Sequence, residues 1–260
     1  PLRAISKQYQ DTMMADLKKS GSMPLPYYPS FIESDNPASG FADSVSNPRF
    51  STGYFYLRNR FGVLVETHSW KTYPVRVKAT AETIRSTLAQ VANYGKQWQE
   101  AAVAADQRSK QIAGTPVVLQ YKTENTPTPI EFQGYAYRRT PSEISGALMT
   151  RYDESKPEVW NIPLYKDISP SMRVTAPKDG YIVPPAFADF IEARLSTHGI
   201  ISSKISKPQA LASVEQFHTN TAELSAQSFE SHQSLKITGQ WQKQDTEIAA
   251  GSLYVPIAQA

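Results

Sequence analysis

The sequence contains no cysteine. Disulfides, thiolate nucleophiles and cysteine-based zinc sites are therefore excluded. No run of about 18 apolar residues occurs, which argues against a transmembrane helix. No stretch of five or more Lys and Arg occurs either, and a formal charge of +3 is spread over 260 residues. A nucleic-acid groove needs a denser basic patch than this. Histidine is scarce, with four residues, and none has a Glu three positions on or a second His at helical spacing. A Gly-x-Ser-x-Gly elbow and a Gly-rich phosphate loop are also missing, which removes the serine-hydrolase and nucleotide-loop readings.

What is present can fold. Hydrophobic residues make up 40% of the chain and charged residues 20%, enough for a core in one large domain or two modest ones. Ile5, Tyr9, Met13 and Leu17 recur every fourth residue, so residues 4–19 are expected to form a packing helix that stops at Gly21. Residues 21–50, rich in Pro, Ser and Asn, read as a long loop, a type of segment that often carries function. Phe61-Gly62-Val63-Leu64-Val65 is a short continuous apolar run, as in a strand covered on both faces of a mostly parallel sheet. Ile84, Leu88, Val91 and Trp98 predict a long helix over 80–113, with a possible break near Gly95.

Beyond residue 114 the texture turns to strands. Val117–Tyr121 is β-prone, and Ile130–Gly134 alternates. Trp160, Ile162 and Leu164 alternate, as do Leu235, Ile237 and Trp241. One helix is expected from about Ala186 to His198, with Phe187, Ile191 and Leu195 on its packing face and Gly199 as its stop. Residues 253–258 read as a strand. Pro1 reads as a processed or truncated start, and both ends as cuts through a longer chain. The reading gives an α/β segment over 1–113 and a β-rich segment over 114–260.

The most informative place for chemistry is Val65-Glu66-Thr67-His68. An ionisable residue directly after a buried strand sits at its carboxyl end, where open α/β sheets bind ligands. Half shielded by apolar neighbours, Glu66 would have a raised pKa suited to a general base. The plainer alternative is an ion pair with Arg58, Arg60 or Arg76. Glu66 and His68 would share a face of a continuing strand. A metal site needs three or four ligands, however, and the other histidines are scattered. His198 falls in the last turn of a helix and complements its dipole; His218 and His232 read as polar strand positions. Among the 14 tyrosines, Tyr27, Tyr28, Tyr54, Tyr56, Tyr135 and Tyr137 can line a peptide or carbohydrate surface, or simply pack in half-buried sheets.

A family resemblance rests on specific segments. Gly40-Phe41-Ala42-Asp43-Ser44, Pro48 to Tyr54, Leu57-Arg58-Asn59-Arg60, Leu64 to Lys71, and Arg76-Val77-Lys78-Ala79-Thr80 together resemble a group of large bacterial M14-type zinc metallocarboxypeptidases. The likeness is most specific over residues 40–80. It continues more loosely through Tyr152–Pro157, Gly180–Pro184 and the closing Ala250–Pro256. It implies the C-terminal part of a mixed, mostly parallel carboxypeptidase-like sheet with helices, followed by a β-rich domain with its helix near 186–198.

The resemblance also implies a zinc-dependent peptide or amide hydrolase. Glu66 would be the base that takes a proton from zinc-bound water and passes it to the leaving amine. By order in the chain, Tyr54 corresponds to the family's mobile substrate-binding tyrosine. The family's zinc ligands, a His-x-x-Glu pair and a distant His, precede the glutamate; residues 1–65 contain no histidine. The chain is thus expected to lack the zinc ligands, to bind no zinc by itself and to be inactive alone. Peptide is the expected substrate, with no nucleic acid and no membrane span, and a periplasmic or secreted compartment is a family-based expectation. The competing reading is a non-catalytic peptide- or cell-wall-binding protein.

Overall fold

A computed structural model describes residues 2–260, and every side chain in that range except that of Leu211. Pro1, read above as a processed start, lies outside the described residues. The described chain is mixed α/β, with four α-helices and several small sheets, and it forms two compact units. One runs to Ala176 and includes Ala260; the other spans Pro177–Gln259.

The first unit opens with α1 (Leu2–Lys19), which buries the expected Ile5, Tyr9, Met13 and Leu17. Its last turn carries Lys18 and Lys19, favourable at a helix C-terminus. The loop that follows contains a short 3-10 turn (Pro37–Ser39) and a two-residue strand β1 (Phe41–Ala42). Next come α2 (Ser51–Leu57) and α3 (Tyr73–Ser109), the latter unbroken at Gly95 and seven residues longer at its start than the spacing predicted. Pro74 sits in the first turn, where a missing N–H costs nothing.

α3 packs on α1 through polar groups. Thr83, Ser86 and Gln90 are buried there. The Tyr9 hydroxyl lies 2.8 Å from Thr87 Oγ1, Ser86 donates to Asp16 at 2.8 Å, and Gln90 Nε2 donates to the Tyr9 carbonyl at 3.3 Å. Hydrogen bonds of this kind offset much of the cost of burying polar groups. Phe61 and Trp98 close the end of the interface, each ring edge-on or tilted to Tyr9 at 5.6 Å.

The change of texture near residue 114 marks the passage from helix to strand inside this unit. β2 (Pro116–Thr123), β3 (Thr128–Pro141), β4 (Leu148–Tyr165) and β5 (Ile168–Thr175) form two small sheets, β1-β4-β3 and β2-β5. β3 and β4 make a long antiparallel hairpin, and β1 joins it parallel to β4. The core is aromatic and aliphatic: Phe41, Trp160, Ile162 and Leu164 are buried, with Tyr27, Phe31, Phe132, Tyr137 and Tyr152 packed round them. Gly40 precedes β1 at φ 73°, and a Cβ there would lie 2.0 Å from the Pro163 carbonyl oxygen. Only glycine permits that approach and that dihedral together.

The second unit holds β6 (Gly180–Val183), α4 (Pro185–Thr197), β7 (Ser203–Lys204), β8 (Gln209–Phe229), β9 (His232–Ile248) and β10 (Leu253–Pro256). β10 lies between β6 and β7, antiparallel to both. α4 covers this sheet with Ala188, Ile191 and Leu195 against Leu253 and Val255. Phe187, expected on that face, is exposed. The packing repeat starts one residue later, on Ala188, because helix and sheet approach closely only over a small side chain. β8 and β9 form a separate two-stranded hairpin. His218 and His232 occupy exposed strand positions, and His198 caps α4 through its backbone N–H.

Two expectations change. The only parallel pairing among the described strands is the short β1–β4 contact, so no mostly parallel sheet is formed among the described residues. The apolar run 61–65 is not a paired strand; residues 60–68 have no regular structure. A strand is defined by its neighbours, and no described segment pairs with this one.

Candidate functional site

Phe61 packs on Trp98 with ring centroids 5.1 Å apart, while α3 begins at Tyr73. The helix from Tyr73 to Trp98 is roughly 38 Å long at ~1.5 Å per residue. The twelve residues from Phe61 to Tyr73 reach about 40 Å when fully extended. Residues 61–67 run without turn or bend, antiparallel to α3, and a turn closed by the Lys71 amide donating to the His68 carbonyl at 3.0 Å leads into the helix. Its residues Val63, Leu64 and Val65 are 45%, 59% and 41% exposed. The run has exposed apolar residues and, among the described residues, no strand paired along either edge.

Glu66 ends this run and is exposed, with Thr67 half-buried beside it. The expected apolar shield is missing because Val63 to Val65 are themselves uncovered. The ion-pair alternative is not realised by Arg60, which binds Asp106 in a bidentate fork, both N–H···O distances being 2.9 Å. Asn59, at φ 54°, adds a 3.2 Å bond to the same carboxylate. The Arg60 guanidinium, with help from Asn59, holds the Asp106 carboxyl below its usual range. This latch fixes the start of the run against the last third of α3.

The partner of Glu66 is Tyr28. The Glu66 carboxylate lies close enough for its charge to raise the Tyr28 phenol above its ordinary value of 10.0. The loop 21–50 thus returns to the end of the apolar run, tied down by Gln10 Nε2 to the Pro26 carbonyl at 2.9 Å. Tyr28 was one of six tyrosines marked as possible surface residues; no sequence spacing distinguished it from the others. Tyr54, the candidate by order, sits half-buried in α2 with its ring 6.5 Å from that of Phe55.

His68 is exposed. Its Nδ1 accepts a 3.1 Å hydrogen bond from the Trp70 amide, and the two rings meet edge-on at 5.4 Å. That bond places the proton of a neutral ring on Nε2. No family model, curated protein or solved structure matches the chain. Among the described residues no three His, Asp or Glu side chains converge as a metal site would require. Glu66 and His68 alone do not fit a zinc ion.

The remaining surface of α3 bears on the same site. Arg85, Lys96 and Glu100 mark its solvent side, and Thr83, Ser86 and Gln90 its α1 side. A third stripe, Val77, Ile84, Leu88 and Val91, is apolar and exposed. A shallow cavity of about 370 Å³ opens on this stripe between Tyr73, Arg76, Val77 and Ile84. A second, of about 420 Å³, lies by Phe61, Trp98 and Val103 at the opposite end of the run. No helix among the described residues is long and apolar enough to cross a membrane, so the stripe is not part of such a span.

Proposed function

We propose that this chain is the C-terminal portion of a zinc-dependent, carboxypeptidase-like hydrolase of peptide or amide bonds, with Glu66 as its general base. The observation that carries this reading is the exposure of two apolar surfaces, the run ending in Glu66 and a stripe on α3. A run uncovered on both faces and both edges, beside a helix with a second apolar face, has the form of a strand–helix unit whose sheet lies elsewhere in the protein. Glu66 then stands at the carboxyl end of a strand, where ligands bind in α/β sheets.

Glu66 would take a proton from the attacking water and return it to the amine that leaves. Covering Val63–Val65 would desolvate its carboxylate and raise its proton affinity toward that needed in a base. Tyr28, whose phenol feels the charge of Glu66, would stand beside the carboxylate. The zinc ligands would come from outside this sequence, and the substrate would be a peptide or a related amide. Tyr54 is kept as a candidate substrate contact by its order in the chain.

Two measurements test this. Elemental mass spectrometry of the purified chain, after dialysis against a weak chelator, should find no stoichiometric zinc; one tightly held zinc per chain would overturn the placement of the ligands. In the intact protein, Glu66→Gln should lower release of C-terminal residues from peptides by roughly 10²- to 10⁴-fold. Unchanged turnover would remove Glu66 from the mechanism.

A further inference from the structure

The hairpin β8–β9 has two faces of opposite character. Its register pairs Phe217 with Trp241, Ala222 with Ile237, and Leu224 with Leu235, all on one face. Gln216 with Gln242, His218 with Gln240, and Thr221 with Thr238 lie on the other. Trp241, Ile237, Leu235 and Leu224 are exposed. A two-stranded ribbon is marginal in water, and stability comes with a third strand and a covered apolar face. No described strand pairs with either outer edge of this hairpin.

The two edges differ. β8 carries the irregularities, at Gln209/Ala212, Thr219/Thr221 and Leu224/Ser228, and in each of them the surplus residues are its own. Bulges of this kind twist an edge away from further pairing. β9 runs 17 residues without a surplus residue. Charge separates the edges in the same sense. β9 holds Lys236 and Lys243 against Asp245 and Glu247, a net charge of zero. β8 holds Glu215 and Glu223 and no Lys or Arg, a net charge of −2. A second copy of β8 would be repelled; a second copy of β9 would not.

We propose that β9 is a homodimer edge. Two copies pair β9 to β9 antiparallel about a two-fold axis at Gln240, giving a four-stranded sheet in the order β8-β9-β9-β8. This register sets no like charges opposite one another. Lys236 faces Gln244, Lys243 faces Ile237, Asp245 faces Leu235, and Glu247 faces Gln233 of the other copy. Trp241 comes beside Gly239 of the other copy, over which the Phe217 ring lies; a Cβ on Gly239 would sit 2.7 Å from that ring. The Phe217–Trp241 pair, 5.5 Å apart and edge-on, thus joins its symmetry copy in one aromatic cluster. An isologous contact of this kind closes on itself, and the bulged, acidic β8 edges stop further growth. The inference is independent of the hydrolase reading.

The test uses the full chain and its sedimentation from about 1 to 100 μM, where a dimer equilibrium in the ordinary range is visible. The wild-type chain should form dimers. Gln240→Lys and Gln240→Glu each place like charges face to face at the axis, and each alone should weaken dimerisation by up to about fivefold. Mixed one to one, the two variants should dimerise more tightly than either alone, because Lys then faces Glu. Gln240 is exposed on the polar face, and circular dichroism checks that each variant is folded. A monomeric wild-type chain, variants that dimerise as tightly as the wild type, or a mixture no tighter than either variant would each overturn the proposal.

Discussion

The hairpins β3–β4 and β8–β9 are built from the same alternation and end in opposite environments. In β4, Trp160, Ile162 and Leu164 are 8%, 5% and 5% exposed; in β9, Leu235, Ile237 and Trp241 are 58%, 49% and 62% exposed. Both sets lie on one face of an antiparallel ribbon. The difference is what lies over them. The loop 21–50 folds Tyr27, Phe31 and Phe41 onto β3–β4, with Phe31 and Phe41 stacked at 5.2 Å and Phe41 edge-on to Phe132 at 5.0 Å. Trp160 also finds a polar partner, its Nε1 donating to the Tyr135 carbonyl at 2.9 Å. Alternation in sequence therefore tells which side chains share a face, and says nothing about the cover of that face.

The sharpest test of this contrast is a matched pair of truncations. Trp160→Ala should cost about 3–5 kcal/mol, since it empties a packed core. Trp241→Ala should cost less than about 1 kcal/mol in dilute solution, as for an exposed site. Urea denaturation measures both, and equal costs would break the comparison.

A smaller effect is expected at the strap over the first hairpin. Asp35 accepts hydrogen bonds from the Thr150 amide and, through its carbonyl, from the Thr150 hydroxyl. Asp35→Ala should cost roughly 1–2 kcal/mol by leaving the Thr150 amide without its acceptor. No change in the denaturation midpoint would show that the loop is held by its aromatic rings alone.

The smallest effect is a pH dependence. Burial, with help from the charge of Asp35 and from Tyr137, raises the Tyr152 phenol above 10.0. A raised folded value favours the protonated ring. The contribution is therefore complete below the ordinary tyrosine value and is lost as pH rises from there through the raised one. The unit ending at Ala176 should lose stability above about pH 10, and Tyr152→Phe should flatten that loss. An unchanged slope in alkaline denaturation would assign it to other groups, Tyr27 first, whose phenol burial also raises.

Much of the local structure was legible in the sequence. The four-residue repeat of Ile5, Tyr9, Met13 and Leu17 is the buried face of α1, and Trp160, Ile162 and Leu164 are core. Misreadings came where local pattern depends on a distant partner. Phe61–Val65 reads as a covered strand, yet no described strand pairs with it and Val63, Leu64 and Val65 are exposed. The apolar repeat of α3 marks it as a helix, but α1 packs on Thr83, Ser86 and Gln90, whose hydrogen bonds across 70 to 81 residues no periodicity reveals. At the candidate site, Glu66 was found by its place after an apolar run. Its contact with Tyr28 joins residues far apart in the chain and carries no local signal.

The sequence by itself determined α1, most of α3 and α4, the faces of the strands, and the exclusion of cysteine chemistry and long apolar spans. These are properties of periods of two and 3.6 residues and of composition, which act over one or two turns. Only the tertiary structure decided which apolar faces are covered, that Arg60 is spent on Asp106, and that Tyr28 meets Glu66. Those outcomes depend on contacts between distant segments, where packing area and hydrogen-bond geometry outweigh local preference.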